Sequence, residues 1–264
     1  MDTLKTASTI CKSLNLTINK SKTVHIHFTP TNKNKNEESW ENLEVPTENT
    51  TKFLGILVDQ NLTWQPQIDS LCNKLSSAHY VIRRIREITN EETALISYHS
   101  LFASHLRYGI VAWGATSATN MERILIIQKK TIRTVFKQHY LQHCKQLFVQ
   151  HGILTVISQY ILETIILATK NPHTLRNSQH NYNTRHGHNI NLPQHSLKKF
   201  SNTPSYSGAK FYNILPNHLK INTNTKNYIT TLKDYFSKRP YYSIAEYIEE
   251  HTYTHIRQYQ VPVN

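Results

Sequence analysis

The chain is predicted to be α+β and mostly α, with a small antiparallel sheet near the N-terminus, a helical bundle after it and a loop-rich C-terminal region. Three observations predict this. Val24, Ile26 and Phe28 alternate with His25 and His27, the period of a half-buried strand. Phe53 to Val58 is a continuous apolar run bounded by polar residues, which reads as a buried strand. Ile68, Leu71, Leu75, Ala78, Ile82, Ile85 and Ile88 then recur every three to four positions, the stripe of an amphipathic helix.

The elements follow in order. Leu4, Ala7, Ile10, Cys11 and Leu14 are spaced as on a helix over 2–14. Pro30 ends the first strand, residues 31–41 are a polar, lysine- and asparagine-rich loop, and Leu43 to Val45 returns as a short strand. After the long helix, Thr89 stands three residues before Glu92, the spacing of a capping box. A second helix carries Leu95, Tyr98, Leu101, Phe102 and His105 on one side, and Gly109 to Gly114 breaks the pattern. A third runs from about Ala118 to Phe136. Two shorter helices are expected over 141–151 and 158–170, a linker rich in Asn, His, Ser and Pro near 171–207, and two short helices around 209–215 and 229–236. The expected division is 1–60, 61–138 and 139–264.

With 38% hydrophobic residues in 264 and a mean hydropathy of −0.51, a core is affordable but thin. The net charge of +13 favours polyanionic partners, through counterion release from phosphates. A basic composition set by the base content of the gene is the plain alternative. The three cysteines, Cys11, Cys72 and Cys144, form no CxxC pair, which suits a reducing compartment. No apolar run reaches the length of a membrane span, and the N-terminus lacks the apolar core of a signal peptide. The expected location is intracellular, cytoplasmic and/or nuclear, with no membrane partner.

Several segments carry a resemblance. Leu16 to Thr23 contains an asparagine and a lysine-threonine pair before a strand. Phe53-Leu54-Gly55 is followed by Asp59, Leu62, Trp64 and Ile68. Trp113-Gly114 precedes Gln128-Lys129-Lys130-Thr131-Ile132-Arg133. Near the tail stand His180 to Arg185 and Tyr206 to Pro216. This ordered set resembles the end of the palm, the thumb and the C-terminal region of reverse transcriptases of non-LTR retrotransposons (LINE or jockey-like). The resemblance implies a small palm remnant over 1–60, a thumb-like three-helix bundle over 61–138, and RNA and/or DNA backbone as partner. Such enzymes copy RNA into DNA with two metal ions held by paired aspartates, and two-metal chemistry needs closely spaced carboxylates. Here only Asp2, Asp59, Asp69 and Asp234 occur, none adjacent. The expectation is therefore a fragment that lacks the catalytic Asp-Asp motif and is inactive alone. It takes no cofactor, magnesium belonging only to a full-length enzyme. Its exposed strand edges are expected to associate with the missing palm and fingers. A non-enzymatic nucleic-acid-binding module and a non-functional relic are the alternatives.

The candidate contact residues are Lys22, Gly55, Arg84, Lys129, Lys130 and Arg133. By resemblance Lys22 offers charge or a proton to a leaving pyrophosphate; otherwise it is an exposed turn lysine. Gly55 allows close approach of a nucleic-acid strand, or marks a bulge in a buried strand. Trp64 stacks on a base, or anchors a helix to the sheet. Lys74, Arg83, Arg84, Arg86, Arg123, Lys129, Lys130 and Arg133 are basic helical positions, and Lys129, Lys130 and Arg133 share part of one helix surface. Such a surface contacts phosphates without reading sequence, or is simply solvated. His139, His143, Cys144 and His151 are a weak zinc pattern for want of a second close-spaced pair.

Overall fold

The computed structural model describes residues 2–28, 46–170, 189–220 and 227–257. It is mostly helical with one two-stranded antiparallel sheet, as expected. The chain divides into two compact units, Met1–Gln67 and Ile68–Asn264.

In the first unit, helix α1 spans Asp2–Ser13. Asn15 stops it in the left-handed region (φ 55°). The Asn15 N–H then bonds the Lys12 carbonyl and the Leu16 N–H the Cys11 carbonyl, the pair of bonds that closes a Schellman motif. Asn19 organises the following 3-10 turn, Lys20–Lys22: its carbonyl accepts from the Lys22 N–H and the Thr23 hydroxyl, and its side chain from Ser21. The expected strand over 24–28 is reduced to a single bridge between His25 and Thr47. Leu43 to Val45 lies outside the described residues.

The apolar run after it is a hairpin rather than one buried strand. Strand β1 is Thr50–Phe53 and β2 is Ile56–Asp59, in register Thr50↔Asp59 through Phe53↔Ile56. Leu54 (φ 47°) and Gly55 (φ 83°) form the turn, both in the left-handed region demanded by a type I′ connection. Gly55 therefore marks a turn and not a bulge, and Phe53 and Leu54 are 65% and 74% exposed. Asp59 closes the motif. Its carboxylate accepts the Thr63 N–H, the Thr63 hydroxyl and the Trp64 N–H at 2.8–2.9 Å. Gln67 in turn accepts the Leu57 N–H.

Helix α2, Gln65–Ile88, begins in the first unit and continues into the second, where it buries Ile68, Leu71, Leu75, Ala78 and Ile82. Asn90, not Thr89, caps the next helix by accepting the Thr93 N–H, while Thr89 bonds back to the Ile85 carbonyl. Helix α3 (Glu91–Ser97) runs through a π-helical turn (Tyr98–Ala103) into α4 (Ser104–Arg107). Gly109 (φ 63°) breaks the chain before the short α5, Ile110–Trp113. Helix α6 spans Ala118–Val135, with Ser117 as its cap. Arg123 pairs with Asp69 near the starts of α6 and α2, and Arg86 Nε donates to the Val135 carbonyl near their ends, so the two helices run in the same direction.

Helix α7 is Lys145–Gln150 and α8 is Val156–Thr169. Helix α8 is buried almost all round, from Val156 through Ile166, and forms the centre of this unit. Helix α9, Pro204–Ile214, starts inside the region expected to be linker, because Pro204 suits the first turn of a helix. Helix α10 is Tyr228–Ser237, and α11, Ile244–Arg257, was not expected at all. Thr155 and Ser158 donate to the carbonyls of Tyr241 and Arg239, tying α8 to the chain between α10 and α11. The Tyr247 hydroxyl donates to the Phe211 carbonyl, which ties α11 to α9.

Candidate functional site

The parallel helices α2 and α6 carry all eight of the basic helical positions named above, and the structure sorts them into two groups. Four are occupied with the protein's own groups. Arg86 donates to the carbonyls of Val135 and Thr89, and Arg123 is paired with Asp69 at 2.8 Å. Lys129 is half-buried with its ammonium 4.9 Å from the centre of the Tyr242 ring. Arg133 Nε donates to the Gln142 carbonyl at 2.9 Å. Lys129 and Arg133 therefore hold the segments after α6 in place.

The second group faces solvent. Lys74, Arg83 and Arg84 on α2 and Lys130 on α6 are exposed. Arg83 and Arg84 share Glu87, at 3.4 and 3.0 Å, in the kind of surface pairing that contributes little to stability. His79 lies between the helices, 9% exposed, with no partner for its Nδ1. Burial first, then Lys130 and Arg83, holds its imidazole below the usual range, which places a cation from each helix beside one ring. Tyr80 adds an aromatic face that is 59% exposed, with the Arg84 guanidinium 5.7 Å from its centre. Sequence reasoning passes over Tyr80, although its spacing of four from Arg84 signals a shared helix face. The surface so formed brings exposed cations of α2 and α6 together with the exposed ring of Tyr80.

The other expected site residues lie in the first unit or serve the core. Lys22 is exposed at the end of its 3-10 turn, and Gly55 is exposed at the hairpin tip. Trp64 is half-buried. Trp113 is fully buried and donates from Nε1 to the Tyr108 carbonyl, and Gly114 lies so close to Tyr160 that a Cβ would fall 2.2 Å from its ring. The Trp-Gly pair is thus a packing device. Gln128 is fully buried too. His139 and His143 are exposed, Cys144 is buried, and His151 stacks on Phe136 at 3.6 Å. Among the described residues no group of three or more His, Cys, Asp or Glu is placed to hold a metal ion. Three of the four aspartates are engaged within the fold: Asp59 in its loop, Asp69 with Arg123, Asp234 with Lys238. The segment His180 to Arg185 lies outside the described residues.

The most perturbed cation stands elsewhere. Lys220 is buried, and its ammonium donates to Asn189 Oδ1 and the Asn213 carbonyl, neither of them charged. Burial lowers its pKa from 10.5 to about 8. Between those values the unfolded chain holds this proton and the folded chain does not, so Lys220 makes folding more favourable as pH rises from about 8 to 10.5. The slope is at most ~1.4 kcal/mol per pH unit, and less after solvent screening. Unfolding free energies of the wild type minus those of Lys220→Met should rise across that window, while the buried tyrosines and thiols cancel in the difference. A flat difference would show that the ammonium is not desolvated.

Over 124 residues the chain is 28% identical to the "Probable RNA-directed DNA polymerase from transposon X-element" of Drosophila melanogaster, a stretch that makes up 46% of this chain. The chain covers 14% of the length of that protein. Over that stretch the chain is similar to a transposon RNA-directed DNA polymerase. No family model and no solved structure matches it. Among the described residues no helix is long and apolar enough to cross a membrane.

Proposed function

We propose that this chain is a non-catalytic segment of a reverse-transcriptase-related protein, and that it contacts the phosphate backbone of RNA or DNA. The similarity to a transposon RNA-directed DNA polymerase carries the reading. The net charge of +13 and the solvent-facing cations of α2 and α6 agree with it. The absence of adjacent aspartates supports the non-catalytic part, because the polymerases that the chain resembles hold their two metal ions with paired aspartates. In this reading α2 and α6 take the place of a polymerase thumb, with Arg83, Arg84 and Lys130 on phosphates and Tyr80 against sugar or base. Lys22 and Gly55 belong to the palm-like first unit.

This reading divides the expected contact residues into testable classes. Replacing Arg83, Arg84 and Lys130 by Ala should weaken binding to duplex DNA and to an RNA–DNA hybrid. It should also flatten the salt dependence by about one unit of slope for each phosphate no longer neutralised. Replacing Lys129 and Arg133 should leave that slope unchanged and lower stability instead, since both are occupied within the fold. Fluorescence anisotropy across a salt series reads the first effect and urea unfolding the second. A slope that ignores the first triple would remove α2 and α6 from the interface.

A further inference from the structure

A pocket of about 110 Å³ opens beside the π-helical turn, bounded by that turn, α4, the chain before α8, α8 itself and α10. Its polar lining is His99, Arg107, Gln159 and Lys233, and no carboxylate takes part in it. Glu163 accepts from Gln159 Nε2 at 2.8 Å but stands outside the lining. Gly152 at the rim adopts a positive φ of 61°, and a Cβ there would meet nothing within 4 Å, so the approach on that side is open.

Two features argue that this hollow has a ligand. A π-helical turn is a rare departure from α geometry and concentrates at functional sites. The lining also gathers two cations and, among the described residues, no carboxylate. Arg107 and Lys233 are both exposed, so neither has been drawn into the core for packing. Burial, and then Arg107, holds His99 below its usual range. The volume of about 110 Å³ has room for one tetrahedral oxyanion.

We propose that this pocket binds a single phosphate-class oxyanion, with Arg107 and Lys233 as its charged partners and His99 and Gln159 as polar walls. The ligand is either free phosphate or the terminal phosphate of a nucleic-acid strand. The proposal does not depend on the basic surface of α2 and α6.

The test is titration of the full chain with inorganic phosphate, followed by calorimetry. Saturable binding is expected. Arg107→Gln and Lys233→Gln should each weaken it about tenfold, the loss of one charge-assisted hydrogen bond, with an unchanged circular dichroism spectrum because both side chains are exposed. Lys210→Gln, an exposed lysine on α9, should leave it unaltered. Competition by a 5′-phosphorylated dinucleotide, but not by its 5′-hydroxyl counterpart, identifies the strand end as the source. No competition by either identifies free phosphate. The proposal is overturned if binding does not saturate, or if Lys210→Gln weakens it as much as the pocket variants. Arg83, Arg84 and Lys130 variants should retain phosphate binding, so failure here is separate from failure of the backbone interface.

Discussion

Gly208→Ala should destabilise the larger unit by about 3 kcal/mol, and Gly208→Val should prevent its folding. Helix propensity alone predicts the opposite, because Ala is favoured over Gly inside a helix by about 1 kcal/mol. Packing decides the sign. A Cβ at 208 would stand 2.2 Å from the Thr164 carbonyl oxygen and 2.9 Å from its carbon, and the Ala168 methyl lies 3.0 Å away. The first two are backbone atoms of α8, which cannot turn aside as a side chain can. Relief requires α9 to lift from α8, and that contact joins the central helix to Phe211, Tyr212 and the Ser207 hydroxyl that bonds Ser201. Overpacking a tight contact costs on the order of 1–3 kcal/mol even when side chains can adjust, and here they cannot. Urea unfolding followed by far-UV circular dichroism measures the effect, with Lys210→Ala on the exposed side of α9 as the neutral control. A Gly208→Ala variant as stable as the wild type would mean that α9 can lift from α8 without cost.

The elements that the sequence reveals most plainly are those with one wet face. Helices α2 and α6 keep a polar side, so their apolar residues recur with the helical period and their ends lie within a few residues of expectation. Helix α8 carries no such stripe because it is buried on nearly every side, and nothing local announces it as the centre of the fold. The hairpin was hidden for a related reason. Its apolar run continues across Leu54, and a leucine with a positive φ has no signature in sequence. The cap one residue from its expected place reflects two good capping types side by side, Thr89 and Asn90. Helix α11 did leave a local signal: Ser243 stands three residues before Glu246, the spacing of a capping box, and the Ser243 hydroxyl accepts the Glu246 N–H while the Glu246 carboxylate reaches one residue further, to the Tyr242 N–H. At the candidate site, spacing puts Lys129, Lys130 and Arg133 on one helix surface. It does not say that Tyr242 and Gln142 cover two of them. That knowledge needs tertiary contacts.

Gln128→Met should cost about 3 kcal/mol although it nearly conserves shape, because two buried groups and a part-buried carbonyl depend on that one amide. Gln128 is fully buried on α6. Its Nε2 donates to the Tyr98 hydroxyl at 3.0 Å and to the Leu154 carbonyl at 2.9 Å, and its Oε1 accepts the Val156 N–H at 2.8 Å. The amide thus joins α6 to the π-helical turn and to the first turn of α8, whose leading N–H groups have no partner within the helix. Methionine fills the same space and removes all three bonds, so the cost reports desolvation of stranded polar groups rather than a cavity. Tyr98→Phe gives the comparison. It deletes one of the three bonds and leaves the ring stacked on Phe102 at 5.3 Å, so a cost of about 1 kcal/mol is expected. The double variant should cost less than the sum of the singles, since the bond they share can be removed only once. If Gln128→Met unfolds at the same urea concentration as the wild type, water satisfies those groups and the amide does not organise the junction. The expected destabilisation would instead make a glutamine beside two lysines, in a motif that reads as a contact surface, the polar pin that fixes how α6 presents Lys130 to solvent.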